Sequence, residues 1–208
     1  MSALTISPED EKRVKGMGFL NNRGTDLFSA RVLTTNGKVT ANVAAGKAAD
    51  LITAIAGAGA ADALTLTLTD VTVAATDLNT LNGRTSEAIN ANSVKTITGI
   101  VADVTTVYEK AAAKEISGLG NENVVLSDAT VAATNVNVIL KATTGTVAAT
   151  VTADTAADLA AELRDATSKD ALYLSTSGGT DTAAELLALV NKTSIIVNAS
   201  ATTNTSGT

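Results

Sequence analysis

The chain has 208 residues, a net charge of −6 and neither Cys nor His; disulfides, the usual zinc sites, thiol nucleophiles and imidazole acid–base catalysis are excluded. It holds two Phe, two Tyr and no Trp, so its 45% hydrophobic fraction rests mainly on Ala, Val, Leu and Ile, which suit a thin core rather than a thick aromatic one. A charged fraction of only 17% argues against a disordered chain.

The charge is unevenly placed. Residues 1–39 carry six basic side chains (Lys12, Arg13, Lys15, Arg23, Arg31, Lys38) against four acids, and the remainder carries nine against seventeen. An acidic body opposes nucleic-acid binding. No apolar run approaches the roughly 20 residues of a membrane span. Met1–Lys15 lacks the apolar centre of a signal peptide, so export without one is expected.

In chain order, Ser7-Pro8-Glu9-Asp10 predicts a helix over 8–15. Ser7 suits the cap, Pro8 the first turn and the acids the positive end of the dipole. Gly16–Thr25 reads as a loop that presents Phe19 and Leu20. Leu27–Thr35 and Lys38–Ala44 flank Asn36-Gly37, the favoured centre of a two-residue hairpin turn. Every Phe and the only Pro lie in the first 28 residues, which places a boundary near residue 40.

Beyond it one phrase keeps returning: one or two Ala, an acidic or amide residue, then a branched aliphatic. It reads Ala48-Ala49-Asp50-Leu51, Ala74-Ala75-Thr76-Asp77-Leu78, Val101-Ala102-Asp103-Val104, Ala132-Ala133-Thr134-Asn135-Val136, Ala156-Ala157-Asp158-Leu159 and Ala183-Ala184-Glu185-Leu186. Recurrence at 20–50 residues is the mark of stacked supersecondary units. Each phrase predicts a helix start. In the fifth, Asp154 or Thr155 caps and Ala156, Leu159, Ala160 and Leu163 share a face. In the sixth the face is Ala183, Leu186, Leu187 and Val190. Between the helices, Leu64–Thr69, Ala88–Asn92 or Val94–Thr98, Asn123–Leu126, Val147–Thr152, Ala171–Ser175 and Ile195–Asn198 predict strands. Leu64–Thr69 alternates Leu and Thr, one to each face.

The fold class expected is α/β: a βα repeat solenoid of leucine-rich-repeat-like period over 41–198, without the leucine-rich consensus. A helix-plus-hairpin segment over 1–40 precedes it and a flexible polar tail, 199–208, follows. Polar residues at strand ends (Asp70, Asn92 or Ser93, Ser127 or Asp128, Asp154, Ser175, Asn198) either bind backbone between stacked coils or cap their own turns.

Candidate chemistry is sparse. Gly178-Gly179-Thr180-Asp181 sits where a phosphate loop would, yet lacks the Lys and the spacing, so a turn with an N-cap is the plainer reading. The tandem Gly-Gly-x-Gly-x-Asp copies of calcium repeats are missing. Thr-x-Thr pairs such as Thr65/Thr67 and Thr96/Thr98 suggest an ice-binding face, but their spacing is too irregular for a lattice match. No catalytic residue, metal or cofactor is expected. The hydrophobic and basic side chains Phe19, Leu20, Arg23, Leu27, Phe28 and Arg31 are the expected partner-docking anchors.

The phrases Val73-Ala74-Ala75-Thr76-Asp77-Leu78-Asn79-Thr80-Leu81 and Ile97-Thr98-Gly99-Ile100-Val101-Ala102-Asp103-Val104 resemble Thr/Ala-rich repeats of bacteriophage virion appendage proteins, notably of cyanophages, and of some cyanobacterial surface proteins. The resemblance covers roughly residues 40–198 and implies a structural role, such as capsid decoration or tail-fibre appendage, with residues 16–25 in the attachment module. The expected function is a non-enzymatic assembly protein of a virion or extracellular structure. Its expected partners are capsid or tail proteins and further copies of itself, neither nucleic acid nor membrane. The alternative is a surface adhesin binding glycan or calcium.

Overall fold

The computed structural model describes residues 37–206. The predicted helix at 8–15, the first hairpin strand and all six docking anchors lie outside them.

Among the described residues the chain forms six helices and eleven short strands, a mixed α/β fold. The helices are α1 (Ala48–Ala54), α2 (Ala75–Asn82), α3 (Val101–Ala112), α4 (Ala133–Ala142), α5 (Ala156–Glu162) and α6 (Ala183–Val190). All six start within the recurring phrase, where Ala supplies propensity. An acid stands in the first turn of every one but α4, as the dipole favours. The strands are β1 (Thr40–Asn42), β2 (Ala63–Thr65), β3 (Thr72–Ala74), β4 (Ile89–Asn90), β5 (Thr96–Gly99), β6 (Ile116–Ser117), β7 (Asn123–Leu126), β8 (Val147–Thr150), β9 (Ala171–Tyr173), β10 (Gly179–Thr182) and β11 (Thr202–Ser206).

Every strand pairing is parallel. The main sheet runs β3-β5-β7-β8-β9, and β1-β2, β4-β6 and β10-β11 form two-stranded sheets. Thr40 pairs with Ala63, Val124 with Val147 and Ala148 with Ala171, each twenty-three residues on. Around α3 the step is longer: Ile89 pairs with Ile116 and Thr96 with Asn123, twenty-seven on. α3 has twelve residues where α2 has eight, so one added helical turn accounts for the longer step. Each helix packs on the next in chain order.

The aliphatic core is one continuous cluster from Ala48 to Leu189. Leu51, Leu78, Val104, Val136 and Leu159 of the phrase lie in it, while Leu186 is half-buried at its margin. Leu64, Leu66 and Leu68 point inward and Thr65 and Thr69 outward, as the alternation predicts. Two chain segments approach closely at Gly145, where a Cβ would overlap the Glu122 carbonyl group.

Two expectations are corrected. Ile195–Asn198 is not a strand: only Asn198 bridges, to Ser175, and Ile196 is 89% exposed. Ile195 is also exposed, and of the β-branched residues in this stretch Val197 packs against the core. The tail is not wholly loose: β11 pairs with β10, and Thr203 Oγ1 donates to the Gly179 carbonyl at 3.1 Å. Within the predicted second hairpin strand β1 forms and pairs in parallel with β2; its predicted hairpin partner, Leu27–Thr35, lies outside the described residues.

Candidate functional site

Two structural roles recur among the acidic side chains. In the first, a carboxylate reaches back to a helix N-terminus some two dozen residues earlier. Asp70 Oδ2 accepts from Ala48 N at 2.7 Å, Asp128 Oδ2 from Val101 N at 2.7 Å and Asp181 Oδ1 from Ala156 N at 3.3 Å. These are first-turn amides with no partner inside their own helix, and the anion also meets the positive end of the dipole.

In the second role a buried acid holds two chain stretches at once. Asp62 accepts from Val39 N at 2.7 Å and Gly59 N at 2.9 Å. Asp170 repeats the geometry with Val147 N at 2.8 Å and Thr167 N at 2.9 Å. Glu122, wholly buried, takes the same place before β7, accepting from Gly120 N at 2.8 Å and Asn121 N at 3.1 Å. A buried carboxylate is tolerated when its lone pairs are filled in this way. With those lone pairs filled, the carboxylates act as anchors for backbone.

Buried threonines complete the pattern. Thr85 Oγ1 donates to Leu64 O at 2.7 Å and accepts from Leu64 N at 2.9 Å and Glu87 N at 3.0 Å. Thr193 does the same for Leu172, at 2.7 and 3.1 Å, and for Ile195 N at 3.2 Å. Thr143 donates to Glu122 O at 2.6 Å and accepts from Gly145 N at 3.0 Å. Each hydroxyl substitutes for a ladder bond that the neighbouring backbone does not supply.

The most polar interior point is Tyr108–Glu122. The phenol donates to Glu122 Oε1 at 2.5 Å. Burial first, then the hydrogen bond to Glu122 and its charge, push the Tyr108 phenol well above its ordinary range. Tyr108, Ala111, Ala112, Leu119, Gly120 and Ala142 line a cavity of about 280 Å³ beside it. Its walls offer alanine methyls and a phenol whose proton is already donated. At the surface, Glu115 accepts from Asn82 at 2.8 Å and pairs with Lys110 at 3.1 Å, and these contacts lower its carboxyl pKa.

Of the Gly178–Asp181 stretch, Gly178 is a bend, the rest is strand, and an N-cap follows directly. Gly179–Thr182 is β10, and the cap of α6 is Thr182, in a full capping box with Glu185. Asp181 is buried and accepts from Thr202 Oγ1 on β11. Of the polar strand-end residues, Asp70 and Asp128 serve earlier helices, whereas Asp154 and Asn198 serve their own turns, through Thr155 N and Ser200 N. Among the described residues no three His, Cys, Asp or Glu gather as a metal site.

Sequence reading missed Asp62, Glu122, Asp170 and the three buried threonines. The signal was there: Thr85-Ser86 and Thr193-Ser194 follow α2 and α6 by the same interval, and Ser86 and Ser194 hydroxyls both donate to an Asp carbonyl, of Asp62 and Asp170. The predicted face of α6 is also corrected. Leu189 is the buried residue, while Leu187 is 61% and Val190 53% exposed.

Comparison with known protein families, curated proteins and solved structures found no match.

Proposed function

We propose that the chain is a non-enzymatic structural protein of a larger assembly, built as a βα repeat solenoid and attached to its partners through residues 1–40. One observation carries the stack. The same acids and threonines bind backbone about one period away, in step with parallel pairing at twenty-three to twenty-seven residues. Quasi-linear arrays are held by such nearest-neighbour interfaces, and the interval lies in the range of solenoid periods. A rigid acidic rod whose interior polar groups are committed to its own backbone suits a spacer or decoration.

The narrower reading, a phage virion decoration or appendage protein, rests on the resemblance of the Thr/Ala-rich phrases. Phe19, Leu20, Leu27 and Phe28 would supply the apolar anchors and Arg23 and Arg31 the charged ones. Co-sedimentation with purified cyanophage particles is the test. The labelled full chain is expected to pellet with virions, and a Phe19→Ala/Phe28→Ala variant of unchanged circular dichroism is expected to stay in solution. A full chain left in the supernatant by every particle tried, or a variant that pellets equally, ends the docking reading.

A further inference from the structure

The six helices allow a position-by-position comparison. At the fifth helical position stand Ile52, Asn79, Thr105, Asn137 and Ala160 in α1–α5, every one half-buried. In α6 that position is Leu187, 61% exposed. Eighth from each helix start stand Ile55, Asn82, Tyr108, Leu140 and Leu163, all buried or half-buried, the first and last as the C-caps of the seven-residue α1 and α5. In α6 that residue is Val190, 53% exposed. Both positions face the segment that follows. Asn79 Nδ2 donates to Asp103 O at 3.1 Å, Asn82 Nδ2 to Glu115 at 2.8 Å and Asn137 Nδ2 to Asp165 at 2.8 Å. α6, the last helix among the described residues, therefore presents an apolar stacking surface of the kind that neighbouring units of an array share.

We infer that a second copy of this chain covers that surface, C-terminal face to C-terminal face about a two-fold axis, through Leu187, Val190, Ile195 and Ile196. The inference rests on the stacked reading. Three observations choose the occupant. First, the chain is acidic overall, yet residues 186–206 carry a single charge, Lys192, so two copies meet here without like-charge repulsion. Second, among the described residues no large hydrophobic side chain before Val71 is exposed. The described part of the opposite end thus offers no apolar match, whereas a second copy of the same patch does, as in an isologous contact. Third, β11 pairs with β10 along one edge, and a two-fold axis beside its other edge would set two β11 strands antiparallel, which continues the coil-to-coil hydrogen bonding and protects an edge.

Sedimentation equilibrium of the full chain over a wide concentration range is the test. The expected mass is twice the 20.8 kDa of one chain. Leu187→Glu/Val190→Glu is expected to raise the dimer dissociation constant about a hundredfold or more with unchanged circular dichroism. Should that variant fail to fold, Ile196→Glu, outside any helix, replaces it. A nitroxide on Val190→Cys, unique in a cysteine-free chain, should report one short interchain distance. A single-chain mass at all concentrations, open-ended growth, or variants that keep the dimer mass would overturn the proposal. So would a dimer that appears only once Phe19, Leu20, Leu27 and Phe28 are changed to Ser, since the chain's own N-terminal residues would then be the occupant. A missing dimer alongside the losses expected below for Leu78 and Thr85 would leave the stack standing.

Discussion

The inner helices and the last one begin with the same phrase but are held by different means. α1 and α3 have no side-chain cap of their own, and their first amides are taken by Asp70 and Asp128 from further along the chain. α5 has both kinds, Thr155 locally and Asp181 from beyond. α6 carries the full capping box of Thr182 and Glu185. Burial follows the same division, since Leu78 is fully buried and Leu186 only half. The difference teaches that the inner helices take their cover, and α1 and α3 their caps, from the segments that follow. α6 supplies its own cap, and Leu187 and Val190 on its outer face are exposed among the described residues.

The comparison breaks most sharply at Glu122. Glu122→Ala strips the acceptor from Gly120 N, Asn121 N and the Tyr108 hydroxyl and is expected to cost about 4 kcal/mol in urea denaturation. Alkali should attack the same place. The folded-state pKa of Tyr108 is raised, so its contribution to stability is fully present below the unfolded phenol value of about 10 and is lost as pH rises above it. In a Tyr173→Phe background the phenolate absorbance should therefore rise together with unfolding. A phenolate signal that rises while the chain remains folded contradicts this placement.

Next, Leu78→Ala is expected to cost about 3 kcal/mol and Leu186→Ala about 1 kcal/mol, a gap that measures how much cover the following segment supplies. Equal losses would erase the distinction between inner and last helices. Thr85→Val keeps the shape but orphans Leu64 N, Leu64 O and Glu87 N, for about 2 kcal/mol. Asp128→Ala is the mildest, about 1 kcal/mol as for a lost helix cap, read as a drop in the thermal midpoint.

Helix starts and most strands were legible because Ala-rich phrases and alternating aliphatics act locally. Leu64–Thr69 and Asn123–Leu126 needed only period-two patterning. Asp70 and Asp128 stand among the strand-end residues that sequence reads as ties to backbone or caps of their own turns, and they make such ties. Most other bonds to partners some two dozen residues away were hidden. Asp62 and Asp170 look like turn residues, and nothing local separates them from solvated acids. β10 and β11 are polar strands, held by Asp181 and Thr202 rather than by hydrophobic alternation. Ile195–Asn198 failed in the opposite sense, since its aliphatics promise a strand whose outer partner the described residues do not contain. The candidate site shared this fate, being made of long-range bonds.

Residue-resolved hydrogen exchange on the Leu187→Glu/Val190→Glu chain addresses the stacking most directly. Amides of α2, α3 and α4 should open last, those of α5 sooner and those of α6 soonest, with protection of α6 rising in the wild-type chain at high concentration. Equal protection of α3 and α6 in the variant, through one global opening, would contradict a stack in which each segment is covered by the next.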